Sequence, residues 1–195
     1  MLIVISGPSG VGKDAVIGAL RRRPEQCDAH YVVTYATRAR RPGEVDGTSY
    51  HFVDAARFAA MRAAGELLEA NEVHGHWYGT PRDQVVAALG AGRDAILKID
   101  VQGARDVRQA VPQAVLVFIL PPSPEDLAAR LRERATETTA ELAQRQRDAV
   151  DELARQDDYD HIVVNETGQV DRTASRVGEI IAAEHRAHPR RRVRV

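Results

Sequence analysis

A glycine-rich segment near the start of the chain has the residue types and spacing needed to hold a phosphate chain. Gly7, Gly12 and Lys13 fit the pattern G-x-x-x-x-G-K, between the apolar residues 2–5 and a stretch with helical character. Glycines let backbone N–H groups close around phosphate oxygens, the helix N-terminus adds its positive dipole end, and the lysine supplies a mobile charge. We therefore predict a nucleoside-triphosphate site formed by Gly7, Pro8, Ser9, Gly10, Val11, Gly12, Lys13 and Asp14.

Asp14 departs from the usual form of this pattern. The residue after the lysine is ordinarily serine or threonine, whose hydroxyl binds Mg²⁺. A carboxylate also binds Mg²⁺ or one of its waters, although it places negative charge beside the phosphates unless the metal lies between them. Two interpretations are open: Asp14 is a metal ligand, directly or through water, or it caps the start of the helix.

A second group of residues predicts another phosphate site. Arg38, Arg40 and Arg41 lie within the turn-rich segment 37–47, which contains Pro42-Gly43 and Asp46-Gly47. The planar fork of arginine donates two parallel hydrogen bonds to a phosphate. The hydroxyls of Tyr50 and Tyr78 offer further donors. This combination is typical of an acceptor site in an enzyme that transfers phosphoryl groups.

The elements that must position these residues alternate between strands and helices. Short apolar runs, typical of strands buried on both faces of a parallel sheet, occur at residues 2–5, 95–99, 115–120 and 161–164. Helical stretches are predicted at 14–23, 101–110, 124–134, 139–156 and 170–184. This alternation predicts an α/β domain with a central parallel sheet.

Residues 31–80 interrupt that alternation. Strand-like segments at 31–33, 50–53 and 67–69 surround the arginine-containing loop and a helix near 55–64. We expect a small mixed insertion that forms a substrate lobe. The tail from 185 to 195 holds five arginines and two histidines, which is typical of a solvated, flexible end.

Composition excludes several classes of protein. The 195 residues carry a formal net charge of −1, which argues against a general nucleic-acid binder. No window approaches the roughly 20 apolar residues that span a membrane, so we expect no membrane partner and a cytoplasmic location. Cys27 is the single cysteine, so an intrachain disulfide is impossible and a cysteine metal site is not expected.

Longer motifs around these residues resemble the guanylate kinase family. They are Thr37-Arg38 with Arg41-Pro42-Gly43-Glu44-Val45-Asp46-Gly47, Tyr50-His51-Phe52-Val53, Gly65-Glu66-Leu67-Leu68-Glu69, Glu72-Val73-His74-Gly75, Tyr78-Gly79-Thr80-Pro81-Arg82, Ile99-Asp100-Val101-Gln102-Gly103-Ala104, Pro121-Pro122-Ser123, and Tyr159-Asp160 with Val163-Val164-Asn165. The resemblance runs in order over nearly the whole chain. It implies a P-loop NTPase three-layer fold. It also implies an enzyme that phosphorylates GMP, with dGMP as a further candidate acceptor, using ATP and Mg²⁺, as a monomer or homodimer.

The resemblance also implies a role for each matching position. The implied GMP-binding residues are Arg38, Arg41, Tyr50 and Tyr78 for the phosphate and Thr34, Glu69, Thr80 and Asp100 for the guanine. The implied catalytic residues are Lys13, Arg38, Arg134 and Arg145, with Asn165 near the ATP. Guanine presents two adjacent donors, N1–H and the exocyclic amino group, and a carboxylate such as Glu69 accepts from both.

The same resemblance divides the chain into parts. A core domain is expected at 1–33, 81–125 and 158–184, a GMP-binding lobe at 34–80, a helical lid at 126–157 and a basic tail at 185–195. Arg147 is a further candidate arginine of the lid. Lid closure would exclude water from the transfer step.

Two other functions fit part of the pattern. A sugar-phosphate kinase similar to ribose 1,5-bisphosphate kinases would share the Gly-Lys-Asp sequence of the phosphate loop, which Asp14 favours. A sugar phosphate has no base edge for Glu69, however. A non-catalytic guanylate-kinase-like binding module would lack the loop lysine, so Lys13 and the arginines argue against it.

Overall fold

The computed structural model describes residues 1–133, 147–189, 193 and 195. Its strands are β1 Leu2–Ser6, β2 His30–Tyr31, β3 Tyr35–Ala36, β4 His51–Phe52, β5 Leu67–Val73, β6 His76–Pro81, β7 Ala95–Lys98, β8 Val115–Leu120 and β9 His161–Val164. Its helices are α1 Lys13–Arg21, α2 Ala55–Ala63, α3 Arg82–Gly90, α4 Val101–Ala110, α5 Pro124–Glu133, α6 at 147–153 and α7 Val170–Ala187. The predicted lid residues Arg134 and Arg145, residues 139–146 of the helix predicted at 139–156 and part of the tail lie outside the described residues.

A central parallel sheet carries the strand order β2-β7-β1-β8-β9. Every residue of β1 is buried, as are the first five of β8, because helices cover both faces of such a sheet. This burial explains why these two strands are continuous apolar runs. The predicted α/β class with a central parallel sheet is confirmed.

A second sheet of four short strands is mixed, with the order β4-β3-β6-β5. Strand β3 is parallel to β4 and antiparallel to β6, and β6 is also antiparallel to β5. Phe58, Met61 and Leu67 form its core, and Trp77 packs against them. This sheet carries most of the residues predicted to bind the acceptor.

The described chain divides into two compact units. One contains Met1–Ile3 and Asp28–Ala114, including the whole mixed sheet. The other contains Val4–Cys27 and the described residues between 115 and 189, including α1, α5 and α7. All residues predicted for the acceptor therefore belong to the first unit, and the phosphate loop belongs to the second. None of the helices in the described parts of the chain is long and apolar enough to cross a membrane.

Several elements differ from the sequence-based expectation. Tyr31, the first residue of the segment that interrupts the predicted alternation, lies in β2 and pairs with Ile96 of the main sheet. The strands β3 and β6 and the helix α3 were not predicted. Strand β6 contains Gly79 and Pro81, two residues that weaken a strand prediction, and its formation depends on pairing with β5.

Candidate functional site

The phosphate loop connects β1 to α1 through a backbone that requires glycine. Gly7 has φ 145°, and a Cβ atom there would lie 2.3 Å from the carbonyl oxygen of Ile119. Gly12, with φ 97°, is the N-cap of α1. Because neither position tolerates a side chain without strain, the glycines predicted from the sequence are required by the shape of the loop.

Side chains from the same unit brace this loop at Val11. The Asn165 amide donates to the Val11 carbonyl over 2.8 Å, and Arg130 donates to the same oxygen over 3.2 Å. The Thr173 hydroxyl donates to Asn165 Oδ1 over 2.9 Å, which fixes the orientation of the amide. Asn165, predicted to lie near the ATP, is only 4% exposed and is an integral part of this support.

Two donors of the loop, the Lys13 amine and the Ser9 amide, bond to oxygen atoms of the protein itself. Lys13 Nζ donates to the carbonyl oxygens of Gly7 at 2.6 Å and Pro8 at 3.1 Å. The backbone N–H of Ser9 donates to Glu152 Oε2 at 2.8 Å. An anionic oxygen thus already reaches a loop amide, in the way expected of a phosphate oxygen.

Asp14 lies in the first turn of α1 and is exposed. The N-cap of this helix is Gly12, so Asp14 is not the capping residue, although its charge suits the positive end of the helix dipole. Among the described residues, no group of three or more histidine, cysteine, aspartate or glutamate side chains could hold a metal ion. A carboxylate on an exposed first turn fits a Mg²⁺ ion that takes its remaining ligands from phosphates and water.

In the first unit, Arg38 is buried at the centre of a polar cluster. Its Nη1 and Nη2 atoms donate to the two carboxylate oxygens of Glu44 over 2.6 and 2.5 Å, and Nη1 also donates to the Ala39 carbonyl. Its Nε atom donates to the Tyr78 hydroxyl over 3.2 Å. Of the five N–H groups of the guanidinium, these bonds leave one on Nη2 for a ligand.

Aromatic rings and a further cation surround this arginine. The guanidinium carbon of Arg38 lies 4.9 Å from the centre of the Tyr50 ring and 5.5 Å from that of Phe52. Lys98 Nζ lies 4.4 Å from the centre of the same Tyr50 ring. The exposed Arg41 joins the cluster through its backbone N–H, which donates to Glu44. The cluster therefore concentrates positive charge beside two phenol groups.

The electrostatics of this cluster follow from its contacts. The hydrogen bonds from Arg38 hold the pKa of the Glu44 carboxyl below its usual range, and Glu44 in turn raises the pKa of Arg38. Burial raises the pKa of Tyr78, so its hydroxyl keeps its proton. Since the oxygen of Tyr78 accepts from Arg38, that proton is directed away from the arginine and is suited to an anionic ligand.

A buried carboxylate forms a second cluster in the same unit. Glu69 is 6% exposed and accepts from the Thr80 hydroxyl at 2.6 Å and from the Asn71 amide at 3.1 Å. Burial, with a smaller contribution from the charge of Asp100, raises the pKa of Glu69 to about 7. Asp100 itself is the N-cap of α4 and accepts two backbone bonds through Oδ1.

The structure brings most of the predicted residues into three groups. The loop residues 7–14 are supported by Asn165, the phosphate candidates Arg38, Tyr50 and Tyr78 are mutual neighbours, and Glu69 lies with Thr80 and near Asp100. Thr34 is buried, and its carbonyl oxygen accepts from the backbone N–H of His51.

A family model described as guanylate kinase matches residues 1–184 of the chain. The chain belongs to the guanylate kinase family. It is 48% identical to a guanylate kinase of Chromohalobacter salexigens over 166 residues, which are 85% of this chain and 76% of that protein. It is 45% identical to a guanylate kinase of Alkalilimnicola ehrlichii over 182 residues, 93% of this chain and 88% of that one.

A solved structure agrees with this assignment to the guanylate kinase family. The crystal structure of guanylate kinase from Anaplasma phagocytophilum has a TM-score of 0.75 and 32% sequence identity to this chain. The similarity covers 94% of this chain and 85% of that one. The family and the P-loop kinase fold predicted from the sequence are therefore confirmed.

Sequence reasoning missed several side chains that shape these clusters. Among them are Glu44, Asn71, Lys98 and Arg130. Of these four, only Lys98 could have been recognised in the sequence as a candidate site residue, because it is a charged residue in an otherwise apolar strand. The other three are polar residues in loop, strand and helix positions, where a partner distant in the sequence decides their role.

Glu69→Gln should change how stability depends on pH. The folded protein raises the pKa of Glu69 from 4.5 to about 7, so its stabilising contribution is present at low pH and is lost as the pH rises through about 7. Because glutamine does not titrate, the unfolding free energy of the wild type relative to the variant should fall by about 2–3 kcal/mol between pH 5 and pH 8.

Urea unfolding across this pH range measures the difference. Glu72→Gln, which removes an exposed carboxylate from the same strand, is the matched control for the loss of one charge. If the unfolding free energies of the wild type and Glu69→Gln change with pH in parallel, Glu69 is not held in the environment described above.

Proposed function

We propose that this chain catalyses the ATP-dependent phosphorylation of GMP to GDP, with guanine recognised by Glu69. The observation that carries this proposal is a buried carboxylate, 6% exposed, in the same compact unit as an arginine–tyrosine cluster suited to phosphate. Relatives named guanylate kinase, at 45–48% identity over most of the chain, support it.

The Glu69 cluster favours guanine over adenine. Each carboxylate oxygen accepts more than one hydrogen bond, so after bonding to Thr80 and Asn71 both oxygens retain capacity for guanine N1–H and the exocyclic amino group. Adenine would present the unprotonated N1 to this carboxylate. A buried acceptor left without a donor is costly, so adenine is rejected.

Thr80 and Asp100 have complementary roles in this proposal. The single hydroxyl proton of Thr80 is directed to Glu69, so Thr80 holds the carboxylate while its oxygen remains an acceptor. Asp100 accepts its backbone bonds through Oδ1, and Oδ2 is the atom we expect to reach the base. Thr34 is the remaining candidate for a base contact.

The Arg38 cluster would hold the phosphate of GMP. The remaining Nη2 hydrogen of Arg38, the hydroxyl protons of Tyr50 and Tyr78, and the guanidinium of Arg41 are donors of the required kind. Glu44 keeps Arg38 in place, so the phosphate needs no new arginine conformation. The GMP phosphate is itself an anionic nucleophile, and no general base is required.

The phosphate loop would hold the phosphates of ATP. Lys13 and the Ser9 amide would exchange their present oxygen partners for phosphate oxygens, so Glu152 would leave Ser9 when ATP binds. In-line transfer then depends on positioning and positive charge rather than covalent chemistry. Arg134 and Arg145, outside the described residues, remain the predicted arginines of the lid.

Asp14 would hold Mg²⁺ directly or through water. The bound ion supplies charge neutralisation on the β- and γ-phosphate oxygens. A carboxylate carries a negative charge that a serine or threonine hydroxyl lacks, and this charge repels the phosphates unless the metal lies between them. ATP binding should therefore depend more strongly on Mg²⁺ with Asp14 than with a hydroxyl at this position. Activity with dGMP, a cytoplasmic location and a monomeric or homodimeric state remain predictions.

Glu69→Gln tests the assignment of guanine recognition. A glutamine presents one acceptor and one donor group to two donors of the base, so kcat/KM for GMP should fall about 5–150-fold, corresponding to about 1–3 kcal/mol. IMP lacks the exocyclic amino group, so its kcat/KM should fall less and the preference for GMP over IMP should narrow. Glu72→Gln should keep the wild-type preference. An unchanged preference in Glu69→Gln would remove Glu69 from the base site.

Asp14→Ser tests the metal assignment. The variant should retain GMP kinase activity at saturating Mg²⁺, because a hydroxyl is also a suitable ligand, but with an altered Mg²⁺ concentration for half-maximal rate. Asp83→Ser is the matched control, since Asp83 is likewise an exposed acidic residue in a first helical turn. An identical Mg²⁺ response in Asp14→Ser and Asp83→Ser would rule out Asp14 as a metal ligand.

A further inference from the structure

Asn71 connects Glu69 to a second carboxylate. Its Nδ2 atom donates to Glu69 Oε2 over 3.1 Å and to Asp106 Oδ2 over 2.9 Å. Both hydrogens of the amide nitrogen are therefore directed at carboxylate oxygens. Asn71 lies two residues after Glu69 on β5, and Asp106 lies on α4.

Asp106 fixes the orientation of this amide. If the side-chain amide were rotated by half a turn, its oxygen would face two carboxylates and make neither hydrogen bond. The arrangement with Nδ2 between Glu69 and Asp106 is thus strongly preferred. A donor is thereby held permanently against Glu69 Oε2.

Glu69 depends on such donors to remain ionised. The charged groups that act on it are Asp100, at the N-cap of α4, and Asp106, within α4, while β6 contributes the neutral hydroxyl of Thr80. Burial and both of these carboxylates favour the protonated form of Glu69, whereas hydrogen bonds from Asn71 and Thr80 favour the ionised form. A protonated carboxyl would present a donor to the donor edge of guanine.

The two donors hold different oxygens of the carboxylate. Thr80 bonds to Oε1 and Asn71 to Oε2, which together define its plane. The backbone of α4 approaches the second oxygen so closely that a Cβ at Gly103 would lie 3.0 Å from it. Space for a water in place of the Asn71 amide is therefore restricted on that side.

We propose that Asn71 is a positioning residue for guanine recognition, which keeps the Glu69 carboxylate ionised and oriented while Asp106 holds the amide in place. This inference rests on the proposed role of Glu69 at the GMP site. Asn71 acts through Glu69 and does not itself contact the base. Its loss therefore affects the binding of GMP more than the rate of phosphoryl transfer.

Steady-state kinetics of Asn71→Ala test this role. The KM for GMP should rise about tenfold at pH 7.5, as expected for one hydrogen bond to a charged group, while kcat changes less than about twofold. The KM for ATP should not change. Glu72→Ala, on the same strand and exposed, is the control and should behave as the wild type.

The pH profile separates this role from a merely structural one. Removal of the donor raises the pKa of Glu69. As the pH is lowered and Glu69 becomes protonated, KM for GMP should therefore begin to increase at a higher pH in Asn71→Ala than in the wild type. The phosphate of GMP also titrates, near pH 6. The Glu69→Gln variant retains that phosphate titration alone and supplies the baseline.

A double-mutant cycle gives the decisive comparison. If Asn71 acts through Glu69, Asn71→Ala should raise KM for GMP much less in the Glu69→Gln background than in the wild type. An equal increase in both backgrounds, or no increase in the wild type, would overturn the inference. If Glu69→Gln alone leaves GMP kinetics unchanged, the proposed base site fails together with the inference.

Asn71→Asp provides a second variant of nearly the same shape, in case the alanine variant does not fold. It replaces the donor by a third carboxylate beside Glu69 and Asp106, so KM for GMP should rise by more than tenfold at pH 8. A wild-type KM in this folded variant would also overturn the role of Asn71.

Discussion

A carboxylate removed from water must be surrounded by donors, and this requirement organises the acceptor side of the protein. Glu69 obtains its donors from Thr80 of β6 and from Asn71 of its own strand. The pairing of β5 with β6 places Thr80 opposite Glu69, and α4 supplies Asp106 to hold Asn71. The mixed sheet and this helix are therefore both needed to hold the buried carboxylate that we propose as the guanine-binding group.

Both candidate sites keep their donors engaged with carboxylates of the same unit. Glu44 accepts hydrogen bonds from both terminal nitrogens of Arg38, and Glu152 accepts one from the backbone N–H of Ser9. Unpaired buried donors would cost stability, so an internal anion is a reasonable partner in the absence of substrate. In the proposed function the two pairs differ, because Glu44 would keep supporting Arg38 when the GMP phosphate binds, whereas Glu152 would leave the Ser9 amide when ATP binds.

Local patterns were sufficient to predict the features that depend on neighbouring residues. The phosphate loop could be predicted from its glycines, because the backbone at Gly7 and Gly12 requires that residue. The buried strands β1 and β8 could be predicted from their runs of apolar residues. The acceptor roles came instead from longer motifs, because nothing local distinguishes Glu69 from a surface glutamate. The bracing of Val11 by Arg130 was not predictable, since it joins positions 119 residues apart.

The central proposal for this protein is that its phosphoryl acceptor is a nucleotide recognised through its base. It is tested most directly by supplying the unmodified protein with ATP and Mg²⁺ and, in parallel, with GMP, AMP or ribose 1,5-bisphosphate, and by measuring ADP formation in a coupled assay. We expect rapid turnover of GMP, at least about a hundredfold slower turnover of AMP because of the unpaired carboxylate, and none of the sugar phosphate. Turnover of ribose 1,5-bisphosphate without turnover of GMP would contradict the account.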